Sequence, residues 1–292
     1  MSLTKFLENK DVKEKFSQEF PKPKFDLKKE IIAPPITKHY SLVGTAFDYL
    51  MRFYIMHLNP NAKTQRWVAE HSVDLLFNKT NKWLKNPDEI KDWNPSYMEL
   101  ASKGVEIVKQ ARRNLSDYIE SGKISDQLIK SAIMLAQLDV IYRAGFMDEN
   151  IGVVDKGDLN DLRKLISIVN PDLFKARNIC ICNPTFGEAS LLVGGADVDL
   201  LIDDTLIDIK TIKSLELDRD AFNQLVGYYI LFKISGIGSP PSKPKIERLG
   251  IYYSRYGELY TIPIKTVIDE DKLPSFLEWF KRRAANAYER IL

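Results

Sequence analysis

The stretch that decides the fold runs Gly194-Gly195-Ala196-Asp197-Val198-Asp199-Leu200-Leu201-Ile202-Asp203-Asp204-Thr205-Leu206-Ile207-Asp208-Ile209-Lys210-Thr211. Val198, Leu200 and Ile202 alternate with Asp197, Asp199 and Leu201; Thr205, Ile207 and Ile209 alternate with Leu206, Asp208 and Lys210. A period of two marks a half-buried strand. With Asp203-Asp204 as the two loop residues of a hairpin, Ile202 pairs with Thr205, Asp199 with Asp208, and Asp197 with Lys210. Opposed residues hold their Cβ atoms roughly 4.5–5.5 Å apart on one face, so two opposed carboxylates repel unless a cation sits between them. A hard divalent ion binds through one or two carboxylates plus water and substrate phosphate. A lysine two residues after the second acid adds an ammonium, and this set suits phosphodiester hydrolysis. A solvated outer strand face, with Asp197 and Lys210 as an ordinary ion pair, accounts for the same pattern. Against it stands the depletion of Asp in strands.

Upstream, Glu188 to Val193 reads as another strand, with Gly194-Gly195 as a two-residue turn. That register places Ser190 opposite Asp199 and brings Glu188 onto the acid face. A bulge at the glycines would reverse the assignment. Downstream, Asp218 is placed to cap a helix from Arg219 to about Lys233. Gln224 and Tyr228 lie four residues apart and share one of its faces. Phe222, Leu225, Tyr229 and Phe232 supply its packed side. Gly227 lies inside this helix at a cost of about 1 kcal/mol against Ala, and permits close approach of another element.

Asp199, then Asp208-Ile209-Lys210, then Gln224-Leu225-Val226-Gly227-Tyr228 resemble the PD-(D/E)xK nuclease superfamily. The likeness is closest to its RecB/Cas4-like exonuclease branch and covers about residues 183–233. That branch also carries an upstream helical G-x-x-x-H. Gly44-Thr45-Ala46-Phe47-Asp48 stands in the comparable place, with Asp48 where the branch has histidine. The resemblance implies an α/β fold: a restriction-endonuclease-like mixed sheet core with flanking helices and a large helical N-terminal part. It implies Mg²⁺ or Mn²⁺ as cofactor on Asp199 and Asp208, joined by the carbonyl of Ile209. Lys210 would orient or activate a water, and Gln224 and Tyr228 would position substrate or the lysine. Glu188 and Asp48 are candidates for completing the metal shell. The expected activity is metal-dependent hydrolysis of DNA in repair, recombination or defence against foreign DNA. The rival reading is a non-catalytic nucleic-acid-binding or assembly protein that keeps the core without turnover.

The whole chain agrees with a globular protein of one large or two small domains: 292 residues, 45% apolar and 28% charged. A net charge of +2 is too small to indicate a nucleic-acid partner by composition. The expected domains are a mainly helical region over 1–170 and a nuclease core over 171–292. Helical patterns cover about 41–57, 62–84, 95–121, 125–145 and 158–169. Strand patterns follow at 178–182, Arg248–Ser254 and Glu258–Ile264, and Pro274 opens a last helix to about Ile291. Cys180 and Cys182 share a strand face and read as small buried hydrophobes. Two cysteines cannot build the four-cysteine iron–sulfur cluster that some relatives of this branch carry. No apolar leader and no window of 18 apolar residues is present, so a cytoplasmic protein with no membrane partner is expected. His39, His57 and His71 lack ligand spacing. No P-loop occurs, so ATP-driven translocation would require a helicase or other protein partner.

Overall fold

The computed structural model describes residues 2–85, 96–145, 150–238 and 242–289. The chain divides into two compact units. One comprises residues 1–31, 61–64 and 170–292, and the other residues 32–60 and 65–169. The N-terminal arm therefore packs with the C-terminal part, on the far side of the sequence boundary expected near 170.

The helical unit holds α3 (Tyr40–Leu58), α4 (Val68–Lys85), α5 (Ser96–Ser121), α6 (Asp126–Ala144) and α7 (Lys156–Ser167). Each carries an apolar stripe to bury and falls on an expected helical pattern, but the helix expected over 62–84 begins only at Val68, because Lys63–Thr64 pair with β2 as a strand. Residue 95, the expected start of α5, lies outside the described residues. Val43, Phe47 and Leu50 of α3 are buried, as are Leu128, Ala132 and Leu135 of α6 and Leu162 and Leu165 of α7.

The other unit holds α1 (Leu3–Leu7), α2 (Lys10–Glu19), β1 (Lys63–Thr64), β2 (Cys180–Cys182), α8 (Glu188–Leu192), β3 (Leu200–Ile202), β4 (Thr205–Lys210), α9 (Arg219–Ser235), β5 (Arg248–Tyr253), β6 (Glu258–Pro263) and α10 (Leu273–Glu289). Among the described residues its six strands form one mixed sheet in the order β1 to β6. β2, β3 and β4 are antiparallel neighbours; β4 and β5 run parallel; β5 and β6 are antiparallel. The parallel pair is joined by α9, which makes β4–α9–β5 the crossover unit of the fold. Leu201, Leu206, Leu249, Ile251 and Ile262 point from the sheet into one core with Phe222, Leu225 and Val226 of α9. The last residues expected of α10, including Ile291, lie outside the described residues.

The hairpin forms at the expected turn: Ile202 pairs with Thr205 and Leu200 with Ile207. Asp203, the first loop residue, has φ 50°. Its carboxylate accepts the backbone N–H groups of Arg177, Asn178 and Ile179 at 2.8–3.1 Å. Burial would raise that carboxyl, but these donors hold it below the ordinary aspartate range.

Two expectations fail. Residues 188–192 form the short helix α8, not a strand, so Gly194-Gly195 is not a hairpin turn. The β3–β4 ladder stops at Leu200, so Asp199 does not pair with Asp208 nor Asp197 with Lys210. Asp197 bridges to Thr185 instead, and Asp208 pairs with Ile251 across the parallel ladder. Before Leu200 the chain stays bonded on the β2 side instead of pairing with β4: Asn183 N–H donates to the Asp199 carbonyl at 2.8 Å and Val198 N–H to the Pro184 carbonyl at 3.2 Å.

Candidate functional site

Asp208 and Lys210 lie in the same strand row as Leu206, on the sheet face covered by α9. Gln224 and Tyr228, one turn apart on α9, look down on them. The four side chains close a ring. Lys210 Nζ stands 2.8 Å from Asp208 Oδ2 and donates to Gln224 Oε1 at 2.8 Å. Gln224 Nε2 donates to the Tyr228 hydroxyl at 2.7 Å. That hydroxyl donates in turn to Asp208 Oδ1 at 3.5 Å. Asp199 stands beside the ring: its Oδ2 accepts the Ile209 N–H at 2.6 Å. The tertiary structure thus gathers Asp199, Asp208, Ile209, Lys210, Gln224 and Tyr228 at the C-terminal end of β4.

The electrostatics follow from burial. Asp208 is 4% exposed, and its Oδ2 has the lysine ion-pair contact but no aligned hydrogen bond. Burial alone would push the Lys210 ammonium down; Asp208, then Asp199 and Asp218, override that and hold it above the ordinary lysine value. Lys210 is therefore a charged group at neutral pH. Burial, then the charges of Asp208, Asp199 and Asp197, push the Tyr228 hydroxyl well above the usual tyrosine range. Tyr228 stays a neutral donor, and its ring stacks on Phe186 at 5.9 Å.

Other expected members are placed elsewhere. Glu188 opens α8 as an exposed residue, and among the described residues it makes no hydrogen bond or ion pair to the ring. Its route to the site ran through the hairpin that does not form. Asp48 belongs to the helical unit, on α3, where Arg52 one turn later holds its carboxylate. His39 pairs with Asp158, and Cys180 and Cys182 are buried and not disulfide-bonded.

Sequence reading passed over two features. Asn183 is buried at 6% exposure with φ 50°, and its Nδ2 stands 3.5 Å from Asp197 Oδ2. The signal was its residue type, since Asn tolerates the left-handed region better than most. The second feature is a clamp on the chain leaving β4. Ser254 N–H and Oγ both donate to the Lys210 carbonyl, and the hydroxyls of Tyr256 and Tyr253 hold the carbonyls of Lys213 and Glu216. These contacts fix the backbone that carries the lysine.

The residues here that could hold a hard cation are Asp208 and Asp199. Asp208 Oδ2 is a buried oxygen without an aligned donor, and Asp199 supplies a second carboxylate beside it. Among the described residues no group of three or more His, Cys, Asp or Glu converges on one point. Two carboxylates with water suffice for Mg²⁺, which keeps much of its hydration. Among the described residues no helix is long and apolar enough to cross a membrane. No protein-family model, characterised protein or solved structure matches this chain.

Proposed function

We propose that the chain is a metal-dependent nuclease hydrolysing DNA phosphodiester bonds on a restriction-endonuclease-like core, in repair, recombination or defence against foreign DNA. The observation that carries this reading is the Asp208–Lys210–Gln224–Tyr228 ring with Asp199 at its side. Three separate sequence motifs come together there, at the C-terminal end of β4 under one helix. Asp199 and Asp208 would hold Mg²⁺ or Mn²⁺, with the carbonyl of Ile209. A divalent ion held there supplies Lewis acidity toward the scissile phosphate and lowers the pKa of a bound water. Lys210, charged at neutral pH, stabilises negative charge developing on the phosphate oxygens. Gln224 orients that ammonium, and the Tyr228 hydroxyl orients Gln224 by accepting its Nε2–H while donating its own proton to Asp208.

The test is cleavage of linear, circular and single-stranded DNA with Mg²⁺ or Mn²⁺, comparing the wild type with Asp208→Asn. The proposal expects cleavage by the wild type, its loss on chelation, and its loss in the variant. A purified wild type that binds Mn²⁺ and DNA without cutting any of the three would overturn it in favour of the non-catalytic binding protein.

A further inference from the structure

The sheet face turned away from α9 carries a cavity that the proposed mechanism does not use. Ile207, Gly250 and Thr261 stand in one row across β4, β5 and β6 there, and the glycine adds no side chain to fill it. The hollow measures about 660 Å³, within the roughly 300–1,000 Å³ of small-molecule sites. Its floor is aliphatic, built by Leu173, Ile202, Ile207 and Leu259. The Asn178 amide and the Thr261 hydroxyl also line it, and among the described residues neither is taken up in a hydrogen bond. The rim is cationic: Lys175 and Arg177 precede β2, and Lys245 and Arg248 lead into β5. Three acids share the lining, and each is already held. Lys175 pairs with Asp172 at 2.9 Å, Arg248 pairs with Asp204 at 2.7 Å, and Asp203 accepts its three backbone N–H groups. Arg177 closes no ion pair among the described residues, and Lys245 pairs with Glu247, outside the lining. The charge left over is positive and sits at Arg177 and Lys245. All of these residues belong to the sheet unit.

We propose that this cavity is a nucleotide-binding site, with the phosphate at Arg177 and Lys245 and the sugar and base on the aliphatic floor. A guanidinium takes phosphate oxygens two at a time, and an ammonium adds a mobile charge. The flat ring gains by covering Ile207 and Leu259, while the Asn178 amide and the Thr261 hydroxyl offer donors and acceptors to its edge. A bare anion would leave that floor wet. A smaller hollow of about 350 Å³ shares Asn178 and Ile179 with this one and adds Lys63 and Lys243. The nucleotide is therefore either free or one residue of a strand that continues past those lysines. Thr205 and Lys210 are the two ends of β4, about 16 Å apart at a rise of about 3.3 Å per residue, and they face opposite sides of the sheet. The site is thus separate from the ring and does not depend on the nuclease reading.

The experiment is calorimetric titration of the full chain in EDTA, where no metal-dependent cleavage intervenes, with melting curves alongside. The probes are deoxyadenosine monophosphate, deoxyadenosine, inorganic phosphate and a single-stranded deoxyadenylate hexamer. The wild type is expected to bind one monophosphate, with deoxyadenosine and inorganic phosphate each weaker by about tenfold or more, as loss of a charged hydrogen bond or of the ring contact requires. Arg177 is exposed, so Arg177→Ala should keep the melting temperature and weaken the monophosphate by about tenfold. Thr261→Phe puts an aromatic ring, which strands accept well, into the hollow and should abolish binding. Should it also lower the melting temperature, Arg177→Ala decides. Asp208→Asn should bind as the wild type does. A hexamer bound more tightly than the monophosphate, and weakened by Lys63→Ala or Lys243→Ala, makes the occupant a residue of a strand; a hexamer bound no more tightly makes it a free nucleotide. Inorganic phosphate binding as tightly as the monophosphate reduces the site to an anion contact and overturns the inference. Monophosphate binding that survives Arg177→Ala and Thr261→Phe but is lost in Asp208→Asn lies at the ring, which overturns the second site and leaves the nuclease reading standing. No binding of monophosphate or hexamer at millimolar concentration overturns the inference whatever the cleavage assay shows.

Discussion

Lys210 and Asp208 are each other's counter-ion before any metal or substrate arrives. Removing one leaves the other desolvated. Lys210→Ala should therefore abolish cleavage and also lower metal-free stability by about 1–3 kcal/mol, a loss that Mn²⁺ recovers by replacing the ammonium at Asp208. Melting with and without Mn²⁺, beside the cleavage assay, checks both parts. Gln224 is half-buried and touches only the ends of Lys210 and Tyr228 in the ring, so Gln224→Ala should fold with near-native stability and cleave far more slowly. A destabilised but fully active Gln224→Ala would make the residue a packing element. Away from the site, Asp139 of α6 accepts the Tyr49 hydroxyl and lies 3.5 Å from Arg143, yet burial pushes its carboxyl up to about 6. The native state then holds a proton that the unfolded chain has released between about pH 4 and 6. Stability contributed here is full below that window and falls as pH rises through it, level above. Asp139→Asn should remove this slope, so that its stability relative to wild type rises by about 1–3 kcal/mol from pH 4 to 7 in denaturant titrations.

At the scale of elements, α9 carries half of the ring and is itself held from three directions. Asp218 caps it by accepting the Ala221 N–H at 2.7 Å. Its sheet-facing residues fill the core under β4 and β5, and Gly227 meets α1. A Cβ at Gly227 would stand 3.2 Å from both Leu3 methyls and 3.4 Å from Leu7. Gly227→Ala sets a helix-propensity gain of about 1 kcal/mol against that crowding and should change stability little. Gly227→Val should cost about 1–3 kcal/mol by pushing Leu3 and Leu7 away, read as a lower urea midpoint. The helix itself was legible from its cap and its periodicity. α8 was not: over five residues the alternation Glu188, Ser190, Leu192 fits a strand as well as a helix. What selects helix is tertiary. Ser190 Oγ accepts the Phe186 N–H at 2.9 Å and donates to the Ala196 carbonyl at 2.7 Å, while Ala189 N–H is taken by Ser235 Oγ at 3.2 Å.

At the scale of the molecule, one unit bears the sheet and the candidate site and the other is helical. A cation held by Asp199 and Asp208 binds only the folded sheet unit and stabilises it by mass action. Hydrogen exchange with saturating Mn²⁺ should therefore slow at β3, β4 and α9 and leave α5 and α6 unchanged. Equal protection in both units, or none in either, would count against a site confined to the end of β4.

The hairpin turn at Asp203-Asp204, the helix α9, the buried cysteines and the residues of the ring were readable from sequence. Each rests on local spacing: two residues for a strand, four for a helix face, two for the turn. Three things were decided only by tertiary structure. The N-terminal arm joins the sheet unit because Leu3 and Leu7 find their apolar partner on α9, more than two hundred residues away in the chain. The acids do not oppose one another across a ladder, because residues 198–199 bond to Asn183 and Pro184 and the β3–β4 ladder stops at Leu200. Asn183 lies beside Asp197 because its backbone N–H donates to the Asp199 carbonyl at 2.8 Å, and that bond depends on how β2 ends, not on the residues beside it in sequence.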